Sequence, residues 1–176
     1  VSGEGQMIDI SMLDCQVALL ENAFVRYLAT GEIPRPLGTR HPVFTPFQVF
    51  PTEDGYIAVA TMGGAQDQWP IFCAIIDRTD IIDDKRFETG WLRSQNNDIL
   101  EPILNEAMRQ KTTNEWIHEF EAASLACGPV NTIDKVAADP QIKSRDMIVN
   151  VHHQTGGDFK IINNPIIYSR TSCNVE

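Results

Sequence analysis

A nine-residue run, Pro34-Arg35-Pro36-Leu37-Gly38-Thr39-Arg40-His41-Pro42, carries three prolines and one glycine. Proline fixes φ, lacks a backbone N–H donor and biases the residue before it towards extended backbone. Neither a helix nor an inner strand can run through such a segment, so the chain must pass here from one structural unit to another. Before it, Leu13, Val17, Leu20, Phe24 and Leu28 recur every three or four residues. That spacing predicts one amphipathic helix over residues 11–30, with Ser11 as its N-cap and Gly31 as its stop.

After the proline-rich run, residues 47–50 and 56–61 read as strands joined by Pro51-Thr52-Glu53-Asp54-Gly55, where Asp-Gly signals a hairpin. Met62-Gly63-Gly64-Ala65 breaks the second strand. A helix over 66–76 presents Trp69, Phe72, Cys73 and Ile76 on one face, residues 77–90 read as a charged connection, and a helix over 95–110 carries Leu100, Ile103, Leu104 and Met108. Thr112-Thr113-Asn114-Glu115 has the form of a capping box and opens a helix to residue 124, which Cys127-Gly128-Pro129-Val130 ends. Asn131 or Thr132 caps a short helix, Asp139-Pro140 opens another, and residues 147–153 and 159–162 alternate as strands about Thr155-Gly156-Gly157-Asp158. The expected fold class is α+β. Trp69, Phe72, Ile103, Leu104, Trp116 and Phe120 are the expected core of a compact unit over about residues 40–130.

With 176 residues and 43% hydrophobic content, the chain can bury a core without metal or disulfides. A net charge of −10 argues against nucleic acid and anionic membrane as partners, because phosphate binding needs clustered Lys and Arg. The four cysteines, at 15, 73, 127 and 173, form no C-x-x-C pair and read as reduced, mostly buried thiols. No run of 18 apolar residues and no signal-peptide pattern is present, and the expected compartment is the cytoplasm.

Side chains with chemistry are few. Arg40 and His41 in the proline-rich loop can offer a cation and an imidazole to a carboxylate or thioester, or simply face water from a rigid linker. Met62-Gly63-Gly64-Ala65 stands between strand and helix but lacks the spacing of a phosphate-binding loop, and reads as a turn. Adjacent His152 and His153 on a strand point to opposite faces and cannot share a metal. His118 lies on a helix surface. Asp9 and Asp14 are the carboxylates near the first helix, where Asp14 or Ser11 suits its N-terminus. Spacing alone yields no Ser-His-Asp or Cys-His constellation and no metal site.

Six motifs in order resemble the family III CoA-transferases, a group that includes formyl-CoA, carnitine-CoA and succinyl-CoA transferases and the α-methylacyl-CoA racemases. Residues 3–14, GEGQMIDISMLD, resemble its T-G-x-G-Q-x-(I/V)-D-x-S-(L/M) stretch, and residues 19–34 its following helix and exit. Gly38-Thr39-Arg40-His41-Pro42 with Thr45-Pro46-Phe47 resembles its G-N-x-H-P-x-x-x-P-Y segment. Asp54-Gly55-Tyr56-Ile57, Asp83-Asp84-Lys85-Arg86-Phe87, and Gly128-Pro129-Val130-Asn131 with Asp139-Pro140-Gln141 resemble its D-G-x-(I/V), D-D-x-R-F, and G-P-V-N with D-P-Q signatures.

The resemblance implies a small α+β domain over residues 37–130, inserted between pieces of a nucleotide-fold-like large domain at 1–36 and 131–176. It implies a coenzyme A thioester as substrate, no tightly bound cofactor, and an interlocked homodimer. Family transferases work through an aspartyl nucleophile, and racemases through His and Asp, all upstream of the G-x-G-Q stretch. No residue here matches either set, so no catalytic residue is carried over, and the chain is expected to be a C-terminal portion that is inactive without its N-terminal half. The remaining substrate-binding candidates are Thr39, Arg40, His41 and Thr45, with weak affinity expected for an acyl-CoA or carboxylate. Where formyl-CoA transferases carry a run of glycines, this chain has His41-Pro42-Val43-Phe44-Thr45, which speaks against formyl-CoA or oxalate specificity. Two alternatives stand beside this reading: a non-catalytic binding or assembly module, and a fragment of a racemase-like enzyme.

Overall fold

Extended backbone carries the chain out of its first helices, as Pro34 and Pro36 require, and ends in a turn at Gly38-Thr39. The structure, a computed structural model, describes residues 3–61, 67–167 and 170. The chain divides after this turn into two compact units, Val1–Thr39 and Arg40–Glu176.

In the first unit, Ser11 caps α1 (Met12–Leu19) by accepting from the Asp14 N–H at 3.3 Å. Gly31 closes α2 (Glu21–Thr30) with φ 74°, a left-handed conformation that glycine adopts without steric penalty. The single helix expected over 11–30 is two. At Leu20 (φ −91°, ψ 18°) the backbone leaves helical geometry and its N–H turns to the Val17 carbonyl three residues back. The apolar stripe is there but uncovered, with Leu20 53% and Leu28 76% exposed.

The second unit is built on an antiparallel sheet in the order β1-β2-β3 (Phe47–Pro51, Tyr56–Ala60, Ala126–Pro129). Register runs from Phe47 opposite Ala60 to Pro51 opposite Tyr56, and from Ile57 opposite Pro129 to Ala60 opposite Ala126. Alternation of the strands sends Phe50, Ile57 and Val59 to one face. There they join side chains from α3 (Trp69–Ile75), α5 (Asn97–Met108) and α6 (Thr113–Ala122) in one core. Phe72 stacks on Phe120 at 5.7 Å and Trp116 on Phe120 at 5.6 Å, pairs worth about 0.5–1.5 kcal/mol each beyond their buried area. The buried Trp116 Nε1–H donates to the Met108 carbonyl at 2.7 Å. Of the expected core residues only Ile103 is half-buried, packing against the cluster rather than within it.

Three stretches differ from expectation. The helix expected over 95–110 is preceded by α4 (Gly90–Gln95), capped by Thr89, and the two meet at Asn96. The Asn96 side-chain amide donates to the carbonyls of Leu92 and Arg86 and stabilises that bend. The charged connection at 77–90 holds a 3₁₀ turn (Thr79–Ile81) and sends Ile81 and Phe87 into the core, while its charges stay outside. β3 lies where glycine and proline suggested only a helix end. As an edge strand pairing on one side, it accommodates a terminal Pro129 without losing a ladder bond.

Beyond β3, α7 (Ile133–Ala138) and α8 (Pro140–Ser144) precede the hairpin of β4 (Ile148–His153) and β5 (Gly157–Ile162). Asp139 opens α8 by accepting from the N–H groups of Gln141 and Ile142. No described residue from 131 onward is buried. The thiols differ from one another: Cys73 is buried, Cys127 half-buried and Cys15 exposed, against the expectation of mostly buried thiols. Burial pushes the Cys73 thiol up to about 12. Cys173 and most of the tail after Ile167 lie outside the described residues.

Asp54 ties the hairpin turn to the start of α6. Its carboxylate accepts from the Thr113 N–H at 2.8 Å, the Thr113 hydroxyl at 2.9 Å and the Thr52 hydroxyl at 3.3 Å. The Thr113 backbone bond foremost holds the Asp54 carboxyl below its ordinary value. A carboxyl lowered in the folded state stabilises it fully above the unfolded value, about pH 4, and that contribution disappears as pH falls through the lowered one. Asp54→Asn is therefore expected to lower the urea midpoint at pH 7 and to match the parent protein near pH 2. An equal difference at both pH values would rule out this role.

Candidate functional site

The loop entering β1 is organised by its own imidazole. The His41 N–H donates to the Phe47 carbonyl at 2.8 Å, and its Nδ1 accepts the N–H groups of Val43 and Phe44, both at 3.1 Å. Two backbone donors converge on Nδ1, which acts as their common acceptor. The ring stacks on Phe47 and tilts against Phe44, with centroids 5.0 Å away in each case. Arg40, half-buried, reaches the Ser94 carbonyl at 3.5 Å. Thr39 is exposed and closes the first unit. Of the four candidates Thr45 alone is buried, at 2% exposure.

Thr45 also borders a cleft of about 330 Å³ between this loop, the start of α3 and the start of α4. Arg93 forms its inner wall and is 8% exposed. Its Nε donates to the Thr45 carbonyl at 2.8 Å and its Nη1 to the Phe87 carbonyl at 3.0 Å. The guanidinium lies 4.8 Å from the centre of the Trp69 ring, a cation–π contact in a desolvated setting. Burial lowers its pKa, yet arginine stays protonated at any physiological pH. No carboxylate pairs with it among the described residues. Two further donors lining the cleft, Thr45 Oγ1 and Trp69 Nε1, are buried without a hydrogen-bond partner among the described residues.

Arg93 and Trp69 were not among the site residues read from sequence. One signal does point to Arg93. Positions 93, 97, 100, 104 and 108 form a stripe at helical spacing, and Arg93, Asn97, Leu100, Leu104 and Met108 are all buried. An arginine on a core-facing position needs acceptors. The D-D-x-R-F motif supplies one: Asp84 grips Arg86 at 2.6 Å, and the turn presents Phe87, whose carbonyl receives Arg93.

The other candidates have local roles. His152 Nδ1 lies 2.7 Å from Asp158 Oδ1 across the hairpin, and His153 Nδ1 accepts from the N–H groups of Thr155 and Gly156 in the turn. Asp14 stands in the first turn of α1, and His118 is exposed on α6. Met62-Gly63-Gly64-Ala65 lies outside the described residues. Among the described residues no group of three or more His, Cys, Asp or Glu is placed to hold a metal, and no helix is long and apolar enough to cross a membrane.

Replacing Arg93 by leucine would leave the carbonyls of Thr45 and Phe87 unpaired at a buried site. We expect a loss of about 2 kcal/mol or more in urea denaturation, with faster proteolysis within residues 40–46. Unchanged stability would show these bonds to be dispensable.

The chain is similar to known proteins along its whole length. It is 32% identical over 169 residues to the succinyl-CoA:glutarate CoA-transferase of Homo sapiens, covering 96% of this chain and 38% of that protein. It is 33% identical over 175 residues to the succinate–glutarate CoA-transferase of Agrobacterium fabrum, covering 99% of this chain and 43% of that protein. Among solved structures, a CAIB/BAIF family protein from Brucella suis superposes with a TM-score of 0.75 at 31% identity, covering 96% of this chain and 43% of the other. The chain thus spans about two fifths of the length of these relatives. The family model for CoA-transferase family III matches residues 1–176, and the chain belongs to that family.

Proposed function

We propose that this chain supplies the C-terminal part of an acyl-CoA:carboxylate CoA-transferase, exchanging coenzyme A between short dicarboxylic acids. One observation carries the reading: the chain matches the family end to end while covering only 38% and 43% of two relatives named for succinate and glutarate exchange. The transfer would run through an aspartyl carboxylate in the part of the relatives that this chain does not span. That carboxylate attacks the thioester carbonyl and expels the thiolate. The resulting anhydride returns the acyl group as a free acid when the thiolate attacks the aspartyl carbonyl. The acceptor carboxylate then attacks the aspartyl thioester and expels the thiolate, which attacks the acceptor's carbonyl in the new anhydride and releases acyl-CoA and the aspartyl carboxylate. Each step trades one activated acyl bond for another, which makes a carboxylate a suitable nucleophile.

In this reading residues 37–130 are the small domain, residues 1–36 and 131–176 belong to a nucleotide-fold-like large domain, and Thr39, Arg40, His41 and Thr45 face the acyl-CoA. The distribution of burial supports the division: every buried described residue lies between Thr45 and Leu125. The uncovered stripe of Val17, Leu20, Phe24 and Leu28 supports a second copy as partner, because exposed apolar surface of this kind marks an interaction face.

The purified chain is expected to show no exchange of CoA from succinyl-CoA to glutarate above blank, and to scatter light as a dimer. Weak succinyl-CoA binding should raise its melting temperature, and Arg40→Ala should abolish that shift. Turnover by the chain alone would overturn the assignment of the nucleophile elsewhere. An unchanged shift in Arg40→Ala would remove Arg40 from the site.

A further inference from the structure

We propose that the cleft beside Arg93 is a carboxylate-binding subsite, with the Arg93 guanidinium, Thr45 Oγ1 and Trp69 Nε1 as its donors. All three side chains line the cleft and are at least nine-tenths buried, with exposures of 8%, 2% and 2%. A guanidinium has five N–H donors. Two are taken by the carbonyls of Thr45 and Phe87, and the other three have no partner among the described residues. The Thr45 hydroxyl and the Trp69 indole N–H are buried and unpaired. Buried polar groups are rarely left so, and a concentration of donors without acceptors around one space calls for an acceptor there.

Several features narrow its chemistry. The donors include a fixed planar fork, which matches the two oxygens of a carboxylate better than a single carbonyl. A volume of about 330 Å³ suits a short aliphatic acid, with Val43 and Phe44 beside its hydrocarbon part. The acidic lining residues, Asp67 and Glu88, are exposed; Asp67 acts on Arg93 by its charge, and its Oδ1 accepts from the Trp69 backbone N–H. Two acids near the cleft oppose a second negative charge within it, so one carboxylate enters. Identifying it as the non-reacting end of a dicarboxylate rests on the transferase reading. The binding itself does not.

Two of the three tryptophans, Trp69 and Trp91, line the cleft, so ligand entry is readable by intrinsic fluorescence. The full 176-residue chain would be titrated with glutarate, with its neutral isostere glutaramide, and with sulfate. The expected result is a saturable response to glutarate and none to glutaramide. Thr45→Val and Trp69→Phe, each removing one unpaired donor, should weaken glutarate binding about tenfold. Thr45→Val should melt no lower than the parent without ligand. Absence of a saturable glutarate response, equal binding of sulfate, or parental affinity in both variants would overturn the subsite. Because no turnover is needed, failure here leaves the transferase reading standing, and loss of the transferase reading leaves a measured binding constant intact.

Discussion

Arg93, a buried guanidinium with no carboxylate at ion-pair distance among the described residues, ties together three segments of the second unit. Removing a cation from water is costly, and arginine cannot escape the cost by losing its proton. Arg93 recovers part of it through two charge-assisted bonds to main-chain carbonyls and the face of an indole. Those contacts fall on three separate segments: the loop at Thr45, the turn at Phe87 and the start of α3 at Trp69. A lysine would keep the charge but not the fork that joins two carbonyls at once. The loop and the two helix starts that bound the cleft are thus positioned by one side chain. The conformation at Thr45 also extends outward, since the neighbouring Pro46 carbonyl takes both the N–H and the hydroxyl of Thr61 at the end of β2.

The same logic recasts the D-D-x-R-F motif, read in the sequence only as a family signature. Asp84 and Arg86 form an exposed pair, of little energetic weight by itself. It folds the turn so that Phe87 enters the core while its carbonyl faces Arg93. The Asp-Gly turn behaves similarly. Asp54 receives the first N–H of α6, that of Thr113, together with the Thr113 hydroxyl. Both signatures are contacts that orient elements rather than chemical groups of a reaction.

What was legible in the sequence was whatever repeats with a period. Helices α3, α5 and α6, the β1-β2 hairpin and the β4-β5 hairpin all follow from apolar spacing and turn chemistry, and the capping box at Thr112 and Glu115 has both of its reciprocal bonds. Features set by a single residue in a tertiary context were not. Leu20 interrupts a continuous stripe without glycine or proline to mark it. Phe87 is an isolated apolar residue among charges, and β3 forms because β2 offers it an edge. The site shows the same split. Residues in a recognisable motif, Arg40 and His41, were visible, and both contact backbone groups of their own unit. Arg93 and Trp69 carry the cleft through contacts between segments far apart in sequence, which no local pattern encodes.

Burial also separates what this polypeptide can stabilise by itself from what it cannot. Between Thr45 and Leu125 the chain closes a core of stacked aromatics and aliphatic side chains on one face of a sheet. Before and after, the secondary structure is formed and α1 and α8 are capped by side chains, yet no described side chain is buried. Caps and local hydrogen bonds contribute about 1 kcal/mol each, and helices of eight and ten residues are marginal in water without tertiary packing. The amphipathic pattern of α2 gathers Leu20, Phe24 and Tyr27 with Ile33 and Pro34 around an apolar recess of about 310 Å³. A stripe so regular, on a helix that its own unit leaves exposed, is apolar surface of the kind that marks an interaction face.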